Sequence, residues 1–327
     1  MKKIFALLLS AALLVTLLAA CGGGNTTDTD TDAQEPATDA STTQVEEQEP
    51  DTGDASKDDP LNQDEIGEKE LLVVSFGTSY NDSRRETIGA IEKAMQTAFP
   101  DYSVRRAFTS QIIIDHVKDR DGVTIDNVEQ ALERAVNNGV KTLVVQPTHL
   151  MNGLELTDEL AKYSDSFEKI AIGDPLLTSD ADFEAVMTAI TDATKDAADG
   201  KTAICFMGHG TTADSNSVYS KMQTLLTDKG FNDYYVGTVE ATPSLDDVLA
   251  AVQKGNYEKV ILRPLMIVAG DHANNDMAGD EDDSWKSTFE KAGYTVDCQV
   301  EGLGQLEAIQ QLFVEHAKAA VASAEAE

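Results

Sequence analysis

Three stretches of this chain recur, in the same order, in its second half. Val74-Ser75-Phe76-Gly77-Thr78-Ser79 aligns with Met207-Gly208-His209-Gly210-Thr211-Thr212, and Phe99 to Thr109 aligns with Phe231 to Ala241. Gln146-Pro147, followed by Gly153, aligns with Arg263-Pro264, followed by Gly270. A duplication of this length confines the fold to two similar units that bury a face against each other or against shared helices. The pattern inside each unit narrows it further. Leu71-Phe76 is a continuous apolar run, Arg84-Phe99 has helical spacing, and Tyr102-Phe108 alternates; a helical pattern around Asn127-Asn138, the strand Lys141-Gln146 and helices near Leu154-Tyr163 and Asp182-Ala197 follow. The second half runs strand Thr202-Met207, helix Ser215-Lys229, strand Tyr234-Val239, helix Ser244-Lys254 and strand Val260-Leu265. It closes with helix Asp282-Ala292, strand Thr295-Val300 and helix Leu306-Ala322. Strand-helix alternation predicts parallel sheets with helices on both faces. The expectation is an α/β protein of two pseudo-symmetric, doubly wound lobes, residues 67–200 and 201–327, with a cleft between them.

Chemistry in such sheets sits beyond the carboxyl ends of the strands. Three second-half strands deliver polar residues there: His209 in Met207-Gly-His-Gly-Thr211, Glu240 after Val236-Gly-Thr-Val239, and His272 in Ala269-Gly-Asp-His272. Two imidazoles and a carboxylate suit a divalent transition metal, Co²⁺, Ni²⁺, Fe²⁺ and Zn²⁺ alike. Their repeat partners are Phe76, Phe108 and Glu155, so one lobe carries the polar triad and the other an aromatic surface. A cleft with a metal on one wall and a flat apolar platform on the other fits a large planar ligand that must meet a metal ion. Gly208 and Gly210 let the backbone turn sharply around His209 and let a bulky ring approach. His149 also follows a strand, in the lobe lacking the triad, and is read as a pocket or accessory residue. His116 and His316 lie on helical patterns and are read as structural.

The chain starts with Lys2 and Lys3, an apolar run from Ile4 to Leu18, and Leu18-Ala-Ala-Cys21. This is a targeting segment, too short for a comfortable membrane span. Its end resembles the lipobox of bacterial lipoproteins, in which the matching Cys, here Cys21, is lipidated and becomes the mature N-terminus. The expected placement is therefore lipid-anchored at the cell membrane, outside the cytoplasm. Residues 22–66 hold 14 acids against Lys57 alone, with almost no large apolar residue, and read as a disordered, extended tether. The net charge of −33 repels phosphates, which excludes nucleic acid as a partner. Beyond Cys21 only Cys205 and Cys298 remain, both in apolar strand patterns, and no disulfide framework is indicated.

The motifs SFGTSY, RRAFTS, MGHGT, GTVE and PLMIVAGDHANNDMAGDEDDSWK resemble the class II chelatases, specifically the anaerobic sirohydrochlorin cobaltochelatases. The likeness covers essentially everything after the tether. It implies that two α/β lobes hold a tetrapyrrole between them and that His209, Glu240 and His272 bind the incoming Co²⁺. It further implies that His209 removes pyrrole protons, a role that suits an imidazole because its ordinary pKa lies near neutrality. Phe76, Thr78, Arg106, Phe108 and His149 are then the candidates for ring binding. Arg106 belongs with Arg84, Arg85 and Arg105 to a basic cluster that would meet the ring's carboxylates. The lipoprotein start departs from the family's pattern, since ring biosynthesis is cytoplasmic. Two functions follow: a chelatase of the anaerobic cobalamin route, or a tethered protein capturing a tetrapyrrole, haem or a metal for uptake. The tether favours capture and the intact triad favours the enzyme. Association into homo-oligomers stays open.

Overall fold

The computed structural model describes residues 51–64, 67–151 and 154–326, with side chains left aside at 154 and 155. The first lobe contains β1 (Lys69–Ser75), α1 (Asn81–Glu86), α2 (Ile88–Ala98), β2 (Ser103–Phe108), α3 (Gln111–Asp121) and α4 (Val128–Asn137). It continues with β3 (Thr142–Pro147), α5 (Leu154–Ala161), β4 (Lys169–Ile172) and α6 (Asp180–Thr194). The second lobe contains β5 (Thr202–Gly208), α7 (Ser217–Asp228), β6 (Tyr234–Thr238), α8 (Leu245–Val252) and β7 (Lys259–Pro264). After these come α9 (Trp285–Lys291), β8 (Thr295–Cys298) and α10 (Glu307–Ala326). Each lobe has one sheet, in the order β2-β1-β3-β4 and β6-β5-β7-β8, with every pairing parallel. The topological switch of each sheet thus falls between its first and third strands.

The apolar runs of β1 and β5 are continuous because both faces of these central strands are covered. Period two then sorts their side chains. Leu71 and Val73 of β1 and Ile204 and Phe206 of β5 face one shared core, filled by α2, α6, α7 and α10. Leu72 and Val74 pack outward against Ala131, Leu132 and Ala135 of α4. Ala203, Cys205 and Met207 pack outward against α8, Trp285 and Phe289. Cys205 and Cys298 are free thiols in these strands; burial pushes the Cys298 thiol up to about 11 and that of Cys205 further. The helices start where the sequence offers caps: Asn127 with Gln130, Ser179 with Asp182 and Ser244 with Asp247 form reciprocal capping boxes.

Several elements differ from the sequence reading. β4 is an additional edge strand, short and only partly buried, so its alternation carries little signal. The helix expected over Arg84-Phe99 breaks into α1 and α2 at Thr87, whose side chain lies against Gly302 and Gly304 of the second lobe. α10 does not stay with the lobe that precedes it. It packs on β3, β4, α2 and α6 of the first lobe, and His316 joins Asp182 and the Asp174 carbonyl at 3.0 Å each. Among the described residues no helix is long and apolar enough to cross a membrane.

The largest departure concerns the tether. Residues 51–64, acidic and placed with it by composition, lie packed along the first lobe. The Asp58 side chain is only 3% exposed and joins Arg84 at 2.6 Å and Arg106 at 2.7 Å; Leu61 is buried in the shared core. Burial alone would raise the Asp58 carboxyl, but Arg106 and Arg84 hold it below the usual carboxylate range. Asn62 donates to the Thr124 carbonyl, and Arg134 reaches Asp64 and the Asn62 carbonyl. Composition cannot distinguish an acid that meets a buried arginine from one that meets water.

Candidate metal centre

His209 and Glu240 leave the ends of β5 and β6, and His272 follows β7, so all three sit beyond the carboxyl edge of the second sheet. The Glu240 amide donates to the His209 carbonyl at 2.9 Å, which locks the two turns together. One ligand atom from each residue falls within 4.8 Å of the others, and the two imidazoles meet edge to face with centroids 4.7 Å apart. His209 and Glu240 are exposed and His272 is half-buried. The three therefore form an open site, with coordination positions left for water or an incoming nitrogen.

The turn that carries His209 shows why the sequence is glycine-rich there. Gly210 has φ +89°, the left-handed region that favours glycine. A Cβ on Gly208 would lie 2.1 Å from the Tyr219 ring, so this glycine admits Tyr219, whose hydroxyl in turn accepts from the Gly210 amide at 3.3 Å. Close approach of a ligand is not what the structure shows Gly208 to serve.

Each imidazole is oriented through Nδ1. That of His209 donates to the Gly210 carbonyl at 2.7 Å, leaving Nε2 as the ligand atom. His272 Nδ1 meets Asp276 Oδ2 at 2.8 Å, which leaves its Nε2 free in the same way. Asp276 reaches it because residues 273–277 coil into a helical turn and bring position i+4 beneath the ring. Asp276 is not among the residues singled out from the sequence; its spacing of four from His272 is the signal that could have found it. The Glu240 carboxylate forms no ion pair among the described residues, and it is not buried, so no desolvation penalty needs a metal to offset it.

The residues expected to form a ring-binding wall in the first lobe are only partly available at its surface. Phe76, after β1, is 58% exposed and offers a flat apolar face. Phe108 does not: it is fully buried with Ile88, Ile114, Val117 and Ile125, pressed against Gly77 at φ +101°. Arg106 is corrected as well. It is fully buried and chelated by Glu92 and Asp58, each at 2.7 Å, so it is out of reach of a ligand carboxylate. Arg84 and Arg105 are buried and paired too, the latter with Gln63, and Arg85 pairs with Asp82 and Glu86. Thr78 is buried beside Gly270. His149 is half-buried after β3 and stays outside the metal-ligating group; burial pushes its imidazole down to about 4, so it is neutral at ordinary pH. Cys21 lies outside the described residues.

Two parallel-sheet lobes, joined by one core and carrying an open His-Glu-His site at strand ends, define a class II chelatase. The sequence profile of the family described as cobalt chelatase (CbiK) matches residues 69–322, and the chain belongs to that family. It is 37% identical over 251 residues to a protein from Salmonella typhimurium named sirohydrochlorin cobaltochelatase, covering 76% of this chain and 94% of that one. Sirohydrochlorin cobaltochelatase CbiKC from Nitratidesulfovibrio vulgaris is 30% identical over 260 residues, covering 78% and 91%. Among solved structures, SirB from Bacillus subtilis with Fe³⁺ superposes with a TM-score of 0.57 at 14% identity, over 79% of this chain and 98% of that one. At that identity the likeness speaks for the fold.

Proposed function

We propose that this chain is a sirohydrochlorin cobaltochelatase that takes Co²⁺ on Nε2 of His209, Nε2 of His272 and the Glu240 carboxylate. The observation that carries the reading is that both imidazoles are engaged through Nδ1, which leaves Nε2 available, in an open cluster that brings them within ligand distance of an unpaired carboxylate. In the reaction Co²⁺ replaces two pyrrole N–H protons, so two protons must leave the ring. His209 takes one of them on Nε2 as it hands the metal to the ring, and the other passes to solvent on the exposed side of the site. The exposed side of the site leaves room for the ring, and Phe76 supports the ring's face from the other lobe. Fe²⁺ and Ni²⁺ satisfy the same ligands, so the donor set itself does not select cobalt.

The basic leader and Leu18-Ala-Ala-Cys21 support a lipid-anchored, extracytoplasmic placement, and they are what favours a carrier as the second reading. An absorbance time course with purified protein, Co²⁺ and sirohydrochlorin decides between the two. For the enzyme, His209→Ala lowers the insertion rate by about 10²–10⁴-fold, the size of a general-base contribution, and leaves ring affinity in place. The wild-type rate falls on acidification, because the base must be unprotonated. Ring uptake without metal insertion in the wild type would establish the carrier instead.

A further inference from the structure

The packed segment at 51–64 precedes the part of the chain that matches the cobalt chelatase family, yet it touches the seam on which the metal loop rests. The chain of contacts is short. Asp58 binds Arg84 Nε at 2.6 Å. Arg84, fully buried, donates from Nη1 to the Thr78 carbonyl at 3.1 Å and from Nη2 to Asn81 Oδ1. Asn81 donates back to the Gly53 carbonyl at 3.1 Å, and the Asp82 amide donates to the Thr52 carbonyl at 2.9 Å. The segment thus holds the 78–83 turn from one side.

From the other side that turn carries the loop before His272. The Ala269 amide donates to Ser83 Oγ at 3.0 Å, and a Cβ on Gly270 would stand 3.0 Å from Thr78 Oγ1. His272 comes two residues later. All three metal ligands belong to the second lobe, whereas Phe76 leads directly into the turn. What the turn sets is therefore the spacing between the metal-bearing wall and the wall opposite.

We propose that Asp58 is a positioning residue for metal insertion, acting through Arg84 on the 78–83 turn and so on the register of the His272 loop against the first lobe. The segment is then a working part of this protein and not the end of a spacer. The inference rests on the chelatase reading above. Because the ligands themselves are untouched, Co²⁺ affinity measured without the ring stays as in wild type when Asp58 is changed. The rate of insertion at saturating metal and ring does not: a misplacement of about 1 Å costs up to roughly 100-fold.

The test compares Asp58→Asn with Glu92→Gln in the full chain. Glu92 sits in the same buried cluster but on Arg106 alone. The expected result is an insertion rate lowered about 10- to 100-fold in Asp58→Asn with unchanged Co²⁺ affinity, against a wild-type rate in Glu92→Gln. An unchanged rate in folded Asp58→Asn overturns the proposal. So do parallel losses in both variants that track their folded fraction. Should Asp58→Asn fail to fold, Arg84→Lys keeps a cation beside Asp58 while removing the guanidinium's bonds to the Thr78 carbonyl and to Asn81, and a wild-type rate in that variant overturns the proposal equally. A wild type that inserts no metal sinks the chelatase reading and the proposal together, whereas an active wild type with equally active variants sinks the proposal alone.

Discussion

At the scale of the residue, the metal centre is an exercise in fixing which nitrogen points where. A histidine that donates Nδ1–H to a carbonyl or carboxylate presents Nε2 with its lone pair outward, and the partner raises its basicity. His209 uses its neighbour's carbonyl, which no substitution can remove, but His272 depends on the Asp276 side chain. Asp276→Ala is therefore expected to weaken Co²⁺ binding about 10- to 100-fold, as read by calorimetry without the ring. An isotherm identical to wild type would show that the 273–277 turn alone holds the imidazole. Residues that looked equally functional as letters part company here. Arg106 and Phe108 belong to the interior, and His149, neutralised by burial, takes no part in proton transfer near neutral pH.

At the scale of the element, strands supply the ligands and loops between lobes supply the spacing. β1 illustrates the cost of running such a strand through the middle of a sheet. Glu70, near its start, is 1% exposed with one carboxylate oxygen unpartnered, and burial pushes its carboxyl up to about 8 despite Arg105 and Arg134 nearby. The folded form therefore keeps a proton that the unfolded chain releases above about 4.5. Stability contributed by this site is greatest below the unfolded value and falls as pH rises toward about 8, by on the order of 3–5 kcal/mol. Glu70→Gln keeps the shape and removes the ionisation. Its melting temperature should exceed that of wild type by far more at pH 9 than at pH 5; equal differences at the two values would mean that Glu70 ionises in the folded state as it does unfolded.

At the scale of the whole molecule, the two lobes are not independent. The inner faces of both sheets share one core, and α10, last in sequence, closes it against the first lobe. Separating the lobes would expose that core. The lipid anchor proposed at Cys21 would hold the molecule at a membrane. Cys21→Ser is expected to shift the protein from the membrane fraction to the soluble fraction without altering its insertion rate in vitro. Retention of the serine variant in the membrane fraction would show that something other than lipidation holds it there.

The repeat and the strand-helix alternation were enough, as sequence, to determine two parallel α/β lobes, because buried parallel strands demand apolar runs and crossover helices. The same holds for His209, Glu240 and His272, since in such a sheet the residues just past the strands are brought together whatever lies between them in sequence. What only the tertiary structure decided are the pairings that depend on a partner distant in the chain. Asp58 read as part of an extended tether and Arg84 as part of a basic cluster for the ring's carboxylates, and both are buried because they meet each other. Phe108 read as a platform and is interior because α3, a helix of weak pattern, covers it. Asp276 became the support of His272 because the chain coils at that point. A local pattern reports the period of a segment, whereas the fate of a charge or a ring depends on what the fold places opposite.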